Sequence, residues 1–198
     1  MAKIIQFSAN PAPEKFGLQR ARRKKEKEIK PGQLPLFTGG KVVRLNQLSL
    51  FEEALLIDDH GDIRTARLHY QKAIEGGDCI ADSYCNLGII ESQDGNYSKG
   101  IDCFTLCLKH EPRHYEAHYN LANLYAEVGN LSLAKVHYRI SIEIEPGFSN
   151  CYFNLGLALA MNKEYNEAIE VLTRYKSLTP GEDHHQTDDL IFKLSGML

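Results

Sequence analysis

A chain of 198 residues, 43% of them hydrophobic and with a formal net charge of −3, is long enough for one or two cored domains. It has no run approaching the ~18 apolar residues of a membrane span and no apolar h-region at its start, which predicts a soluble, cytoplasmic protein without a secretory signal. Five cysteines, an odd number, fit a reducing compartment and not a disulfide scaffold.

The small net charge hides a bipolar chain. Residues 1–46 carry eleven Lys or Arg against three Glu, a net of +8, and residues 47–198 carry twelve against twenty-three acids, a net of −11. In the first segment a short apolar stretch (Ile4, Ile5, Phe7) is interrupted by Pro11 and Pro13. Then Arg20, Arg22, Arg23, Lys24, Lys25, Lys27 and Lys30 crowd together, and their repulsion predicts an arm that is disordered or helical only when bound. Three fates are open to this arm: a solvated tail, a salt-dependent tether to nucleic-acid phosphates, or a fold-back onto the acidic remainder within the chain or between copies. With only Phe7 and Phe16 before the linker, stacking on bases is too sparse for specific readout.

Pro31-Gly32 and Gly39-Gly40 are turn signals that mark the linker. Between them Gln33-Leu34-Pro35-Leu36-Phe37 resembles the pentapeptide that docks bacterial DNA-repair and replication proteins onto the polymerase sliding clamp. Gln47-Leu48-Ser49-Leu50-Phe51 resembles it too. Plainer explanations exist: an apolar linker packing onto the first helices accounts for one copy, and the helical positions of Leu50 and Phe51 account for the other.

From Gln47 the chain falls into four rows of 34 residues, 47–80, 81–114, 115–148 and 149–182. Column 8 is small (Ala54, Gly88, Ala122, Gly156), and so is column 20 (Ala66, Gly100, Ala134, Ala168). Column 24 is large and apolar (Tyr70, Phe104, Tyr138, Leu172). Column 15 breaks each row with Gly61, Gly95 and Gly129, and in the fourth row, which has Lys163 there, Asn162 is the candidate for that role. Column 32 reads Asp78, Pro112, Pro146 and Pro180, and proline stops a helix. Each row is therefore two helices that pack closely through the small columns and must stack on neighbouring rows to bury their apolar faces. The buried columns also take in Cys107, which suits a small apolar side chain. Residues 183–198 form a capping helix: Thr187 is the expected N-cap, Asp188 and Asp189 follow it, and Leu190, Ile191, Leu194 and Leu198 form the stripe that covers the last row.

These columns resemble the tetratricopeptide repeat family. Asn86-Leu87-Gly88 recurs as Asn120-Leu121-Ala122 and Asn154-Leu155-Gly156, and Tyr125, Gly129, Ala134, Tyr138 and Pro146 complete the family pattern in the third row. The fold implied is all-α: an α-solenoid of four such hairpins plus a C-terminal capping helix, preceded by a flexible basic N-terminal arm. Departures from the pattern are Glu53, Glu91, Tyr175 and Lys176. Glu53, Tyr175 and Lys176 fall in terminal rows with different capping needs, whereas Glu91 is internal.

The resemblance further implies a concave groove lined by the first helices at columns 2, 5, 6, 9, 12 and 13. Its candidate contacts are Phe51, Leu55, Asn86, Ile89, Tyr119, Asn120, Asn123, Phe153, Asn154 and Leu157, with Tyr119, Asn123 and Phe153 foremost. Columns 2, 5, 6 and 9 hold no Lys or Arg, which argues against the family's subclass that grips a peptide C-terminus with basic residues. Asn86, Asn120 and Asn154 offer donor and acceptor together, so they either pair with the backbone of an extended peptide or tie helices to one another.

His110, His114 and His118 recur every four residues, but Pro112 interrupts any shared helix, so no metal is expected. No cofactor is expected either. There is no Gly-rich phosphate loop, His-Glu metalloprotease pattern or Gly-x-Ser-x-Gly elbow, and Asp58 and Asp59 at a helix end beside Gly61 need only turn and solubility roles. The expected function is a non-enzymatic protein–protein interaction scaffold that captures a partner's peptide or helix in the groove. The alternative is a nucleic-acid-associated adaptor tethered by the arm. No membrane partner is expected.

Overall fold

The computed structural model describes residues 20–21 and 48–198, which form two compact units, Arg20–Pro112 and Arg113–Leu198. The first unit contains α1 (Leu50–Asp59), α2 (Ile63–Glu75), α3 (Ile80–Gln93) and α4 (Tyr97–His110). The second contains α5 (Tyr115–Glu127), α6 (Leu131–Ile144), α7 (Ser149–Met161), α8 (Tyr165–Leu178) and α9 (His185–Ser195). There is no strand among the described residues. No helix among them is long and apolar enough to cross a membrane.

Each row is an antiparallel hairpin. Helix α1 opens with a capping box, in which the Glu52 N–H donates to Ser49 Oγ at 3.3 Å and the Ser49 N–H to Glu52 Oε2 at 3.1 Å. Helices α4, α6 and α8 end where the chain meets proline. The residue before each proline (Glu111, Glu145, Thr179) has left the helix, because the proline ring disfavours a helical backbone there. Asp78 stands in that column in the first row and does other work: its Oδ2 accepts from the Phe51 N–H at 2.8 Å. The hairpin turn of the fourth row uses Lys163 itself at φ +64°, whereas Asn162 stays right-handed at φ −86°. The left-handed step sits where the glycines have theirs, one residue later than the sequence suggested.

The small and large columns meet. A Cβ at Gly88 would lie 2.7 Å from Phe104 Cε1, and one at Gly156 would lie 2.6 Å from Leu172 Cγ. The large column is wholly buried, and each such side chain contributes ~1.5–3 kcal/mol of burial. In α9, Leu190 and Leu194 are buried against α8, but Leu198 is exposed, and Thr187 lies buried inside the helix while His184 takes the N-cap position. An N-cap at Thr187 would have cost the helix its first turn.

The departures from the repeat pattern find partners. Glu91 Oε1 lies 3.3 Å from Arg67 Nε, so a carboxylate replaces the usual aromatic because α2 offers it a guanidinium. Tyr175 packs against Phe153 (ring centroids 5.2 Å apart) and donates to Glu182 Oε2 at 3.0 Å, and Lys176 pairs with Asp188 of α9. Both residues tie α8 to the cap in place of a fifth row. Glu53 stands 3.6 Å from His69 Nδ1.

Candidate functional site

In the Arg20–Pro112 unit, α1 carries Phe51 and Leu55 and α3 carries Asn86 and Ile89. Phe51 and Ile89 are fully buried, and Leu55 is half-buried beside Phe51 and Tyr70. Asn86 grips a main chain. The Ala21 N–H donates to Asn86 Oδ1 at 3.0 Å, and Asn86 Nδ2 donates to the Ala21 carbonyl oxygen at 3.2 Å. One carboxamide can serve both polar groups of one residue only where that residue turns them to the same side, as an extended strand does. Ala21 itself is 1% exposed.

The residue beside it completes the site. Arg20 Nη2 lies 2.7 Å from Asp58 Oδ1, and Nη1 lies 3.4 Å from Asp59 Oδ1. Asp58 is not a solvated helix-end acid: its side chain is 1% exposed, and its Oδ2 accepts from Tyr70 Oη at 3.0 Å. Tyr70 in turn accepts from Asn86 Nδ2 at 3.2 Å, so Asn86, Tyr70, Asp58 and Arg20 form one connected network. Burial raises the Asp58 carboxyl above its ordinary value, against the downward pull of the Arg20 charge and the Tyr70 hydrogen bond. Burial, then the Asp58 charge, pushes the Tyr70 phenol far up, so Tyr70 acts as a hydrogen-bond donor.

Sequence reasoning missed Asp58, Tyr70 and Ala21 as members of a site. The available signal was column 12, a groove column by resemblance, which holds Asp58 in the first row but Ser92, Ala126 and Ala160 in the others. Of the basic arm, Arg20 falls among the described residues; Arg22, Arg23, Lys24, Lys25, Lys27, Lys30 and the Gln33–Phe37 segment lie outside them.

In the Arg113–Leu198 unit, α5 carries Tyr119, Asn120 and Asn123, and α7 carries Phe153, Asn154 and Leu157, all of them buried. Here Asn123 and Asn154 bind side chains. Asn154 Nδ2 donates to Tyr119 Oη at 2.9 Å and to Asn123 Oδ1 at 3.1 Å, and Tyr138 Oη donates to the same Asn123 oxygen at 2.5 Å. The histidines serve different ends. His110 closes α4, while His114 caps α5 by accepting from the Ala117 N–H at 3.1 Å. His118 stacks on His137, with ring centroids 5.2 Å apart. Burial pushes the Cys103 thiol up to about 11 and the Cys151 thiol up to about 12, so both stay protonated.

Residues 81–114 and 115–148 match a tetratricopeptide repeat profile, and residues 137–170 match another of the same description. No curated protein matches the sequence. Among solved structures, the MamA protein aligns at 20% identity over 74% of this chain and 81% of that one, with a TM-score of 0.64. The TPR2B-domain:pHsp70 complex of yeast Sti1 aligns at 21% identity over 60% of this chain and 98% of that one, TM-score 0.56. YrrB, described as a TPR protein with an unusual peptide-binding site, aligns at 20% identity over 67% and 69%, TM-score 0.59. At such identities the likeness establishes the fold, an all-α solenoid of four hairpins with a C-terminal capping helix.

Proposed function

The chain is a tetratricopeptide-repeat protein, and on that premise we propose that it is a non-enzymatic interaction scaffold that captures an extended peptide of a partner protein along the first helices of its hairpins. The observation that carries this reading is the two-point grip of Asn86 on the Ala21 backbone. Such a grip acts through main chain, so it supplies affinity that does not depend on a particular side-chain chemistry. The solved neighbours add support of a coarser kind: the yeast Sti1 domain is in complex with pHsp70, and YrrB is described with a peptide-binding site. The free cysteines among the described residues suit a reducing compartment such as the cytoplasm. The adaptor reading, with the arm on nucleic acid, gains no specific observation, since Arg20 faces carboxylates of its own chain.

Affinity capture with the full chain tests the reading. Proteins retained by the parent in nuclease-treated lysate should be lost from an Asn120→Ala, Phe153→Ala variant of unchanged helicity, with little dependence on salt. Capture that vanishes with nuclease and weakens steeply with salt would favour the adaptor instead.

A further inference from the structure

The two units contain related polar arrangements whose acceptors stand in different columns, Asp58 in column 12 and Asn123 in column 9. In each, a buried column-24 tyrosine donates to an acceptor on its hairpin's first helix, and an asparagine of the next first helix joins the network. In the Arg113–Leu198 unit the acceptor is the neutral Asn123, which takes Tyr138 and Asn154 on one oxygen and needs no counter-charge. In the Arg20–Pro112 unit the acceptor is Asp58, a carboxylate with a side chain 1% exposed. Tyr70 serves its Oδ2, while Oδ1 has no hydrogen-bond partner in α1–α4. Helices α1 to α4 thus supply this carboxylate with no cation of their own, and with Arg20 seated it is buried. A buried charge that lacks a counter-ion is strongly unfavourable, so this socket is built for a cation that comes from elsewhere.

The occupant is Arg20, and its chemistry fits point by point. Its planar fork sets a separate nitrogen against each of two carboxylates, Nη2 to Asp58 and Nη1 to Asp59, a fixed spacing that a compact lysine ammonium lacks. The next residue is held by main chain alone, through Asn86, and is 1% exposed, so it has to be small. We infer that the Arg20–Pro112 unit contains a peptide site selective for an arginine followed by a small residue in an extended segment, and that Arg20–Ala21 of the chain's own basic arm is its resident, competing occupant. This rests on the peptide-capture reading and adds to it a ligand chemistry and a built-in competitor.

The test uses the full chain and a fluorescein-labelled peptide that copies residues 15–24, followed by anisotropy. A tethered competitor acts at an effective concentration of the order of mM, so releasing it should expose the site. The peptide should bind the Arg20→Ala chain about tenfold or more tightly than the parent. Peptides with Lys in place of Arg20, or Leu in place of Ala21, should each lose about tenfold. Adding Asp58→Asn to the Arg20→Ala chain should lose as much, with far-UV circular dichroism unchanged. Equal binding to parent and Arg20→Ala chains, or equal binding of the Arg and Lys peptides, would overturn the inference. A panel of arginine-free extended peptides separates the two failures. If they bind and Asn86→Ala removes them, peptide capture stands and the arginine assignment falls; if no peptide of any composition binds, both fall.

Discussion

Lys163 is a residue in the wrong backbone for its side chain, and replacing it should stabilise the protein. It turns the fourth hairpin at φ +64°, in the column where Gly61, Gly95 and Gly129 sit at φ +84°, +78° and +81°. Its N–H donates to the Ala160 carbonyl at 3.1 Å, as the Gly129 N–H does to Ala126 at 3.1 Å, so a glycine there would keep the same turn. A left-handed backbone costs an L-residue ~1–2 kcal/mol, and glycine's freedom in the unfolded chain takes back ~0.4–1 kcal/mol. The net for Lys163→Gly is a gain of about 0.5–1 kcal/mol. The mirror exchange, Gly129→Ala, meets nothing within 4 Å of the added Cβ, so it reports backbone cost alone and should lose a similar amount. Asn162→Gly is the discriminating control: at φ −86° it has no strain to relieve and should only destabilise. Urea unfolding reads all three as shifts in midpoint at unchanged slope. A stabilising Asn162→Gly, or a Lys163→Gly that does not stabilise, would refute backbone strain at Lys163.

Gly88→Ala should lose about 1–3 kcal/mol, because its Cβ would lie 2.7 Å from the fully buried ring of Phe104. Gly181→Ala, with open space around it, should stay within about 0.5 kcal/mol of the parent; equal effects of the two in the same melts would refute close approach of α3 and α4. Burial, then the neighbouring His118, holds the His137 imidazole down at about 4 from its ordinary 6.5. Between those values the unfolded chain takes up a proton that the folded chain refuses, so this contribution is complete above pH 6.5 and is lost as pH falls towards 4. From pH 7 to 5 the loss should be roughly 1 kcal/mol after allowance for solvent screening, and His137→Phe should flatten it. An unchanged pH slope in that variant would remove His137 as the cause.

The repeat was legible because it rests on volume. Gly88 against Phe104 and Gly156 against Leu172 are local fits that recur at a fixed spacing, so columns of small and large residues display them without any structure. Features that depend on one partner were harder to see. Glu91 looked anomalous in its column, and its reason, Arg67, lies on the preceding helix hairpin, where periodicity does not point. Thr187 had the composition of an N-cap, but it is buried inside the helix, and His184 holds the N-cap position. Asp58 was hidden for both reasons: it neighbours a turn glycine, where acids are common, and its counter-ion belongs to a charge run far upstream.

The column-6 asparagines show how one residue type at one position takes different work from its surroundings. Asn154 faces a tyrosine and a neutral carboxamide, and its donors end on side chains of its own unit. Asn86 faces a tyrosine already committed to a carboxylate, which leaves its carboxamide oxygen for a backbone N–H. What differs is the acceptor of the tyrosine, Asn123 at column 9 in one unit and Asp58 at column 12 in the other. Exchanging the two acceptors is therefore the sharper experiment on the column. Asp58→Asn should loosen the hold on Arg20 and leave Tyr70 its acceptor, whereas Asn123→Asp should bury an unneutralised charge and destabilise the unit by about 3–5 kcal/mol, the penalty of a buried ion without its partner. A mild effect of Asn123→Asp in thermal melts would mean that the new carboxyl is neutralised where it stands, by a proton or by a cation within reach.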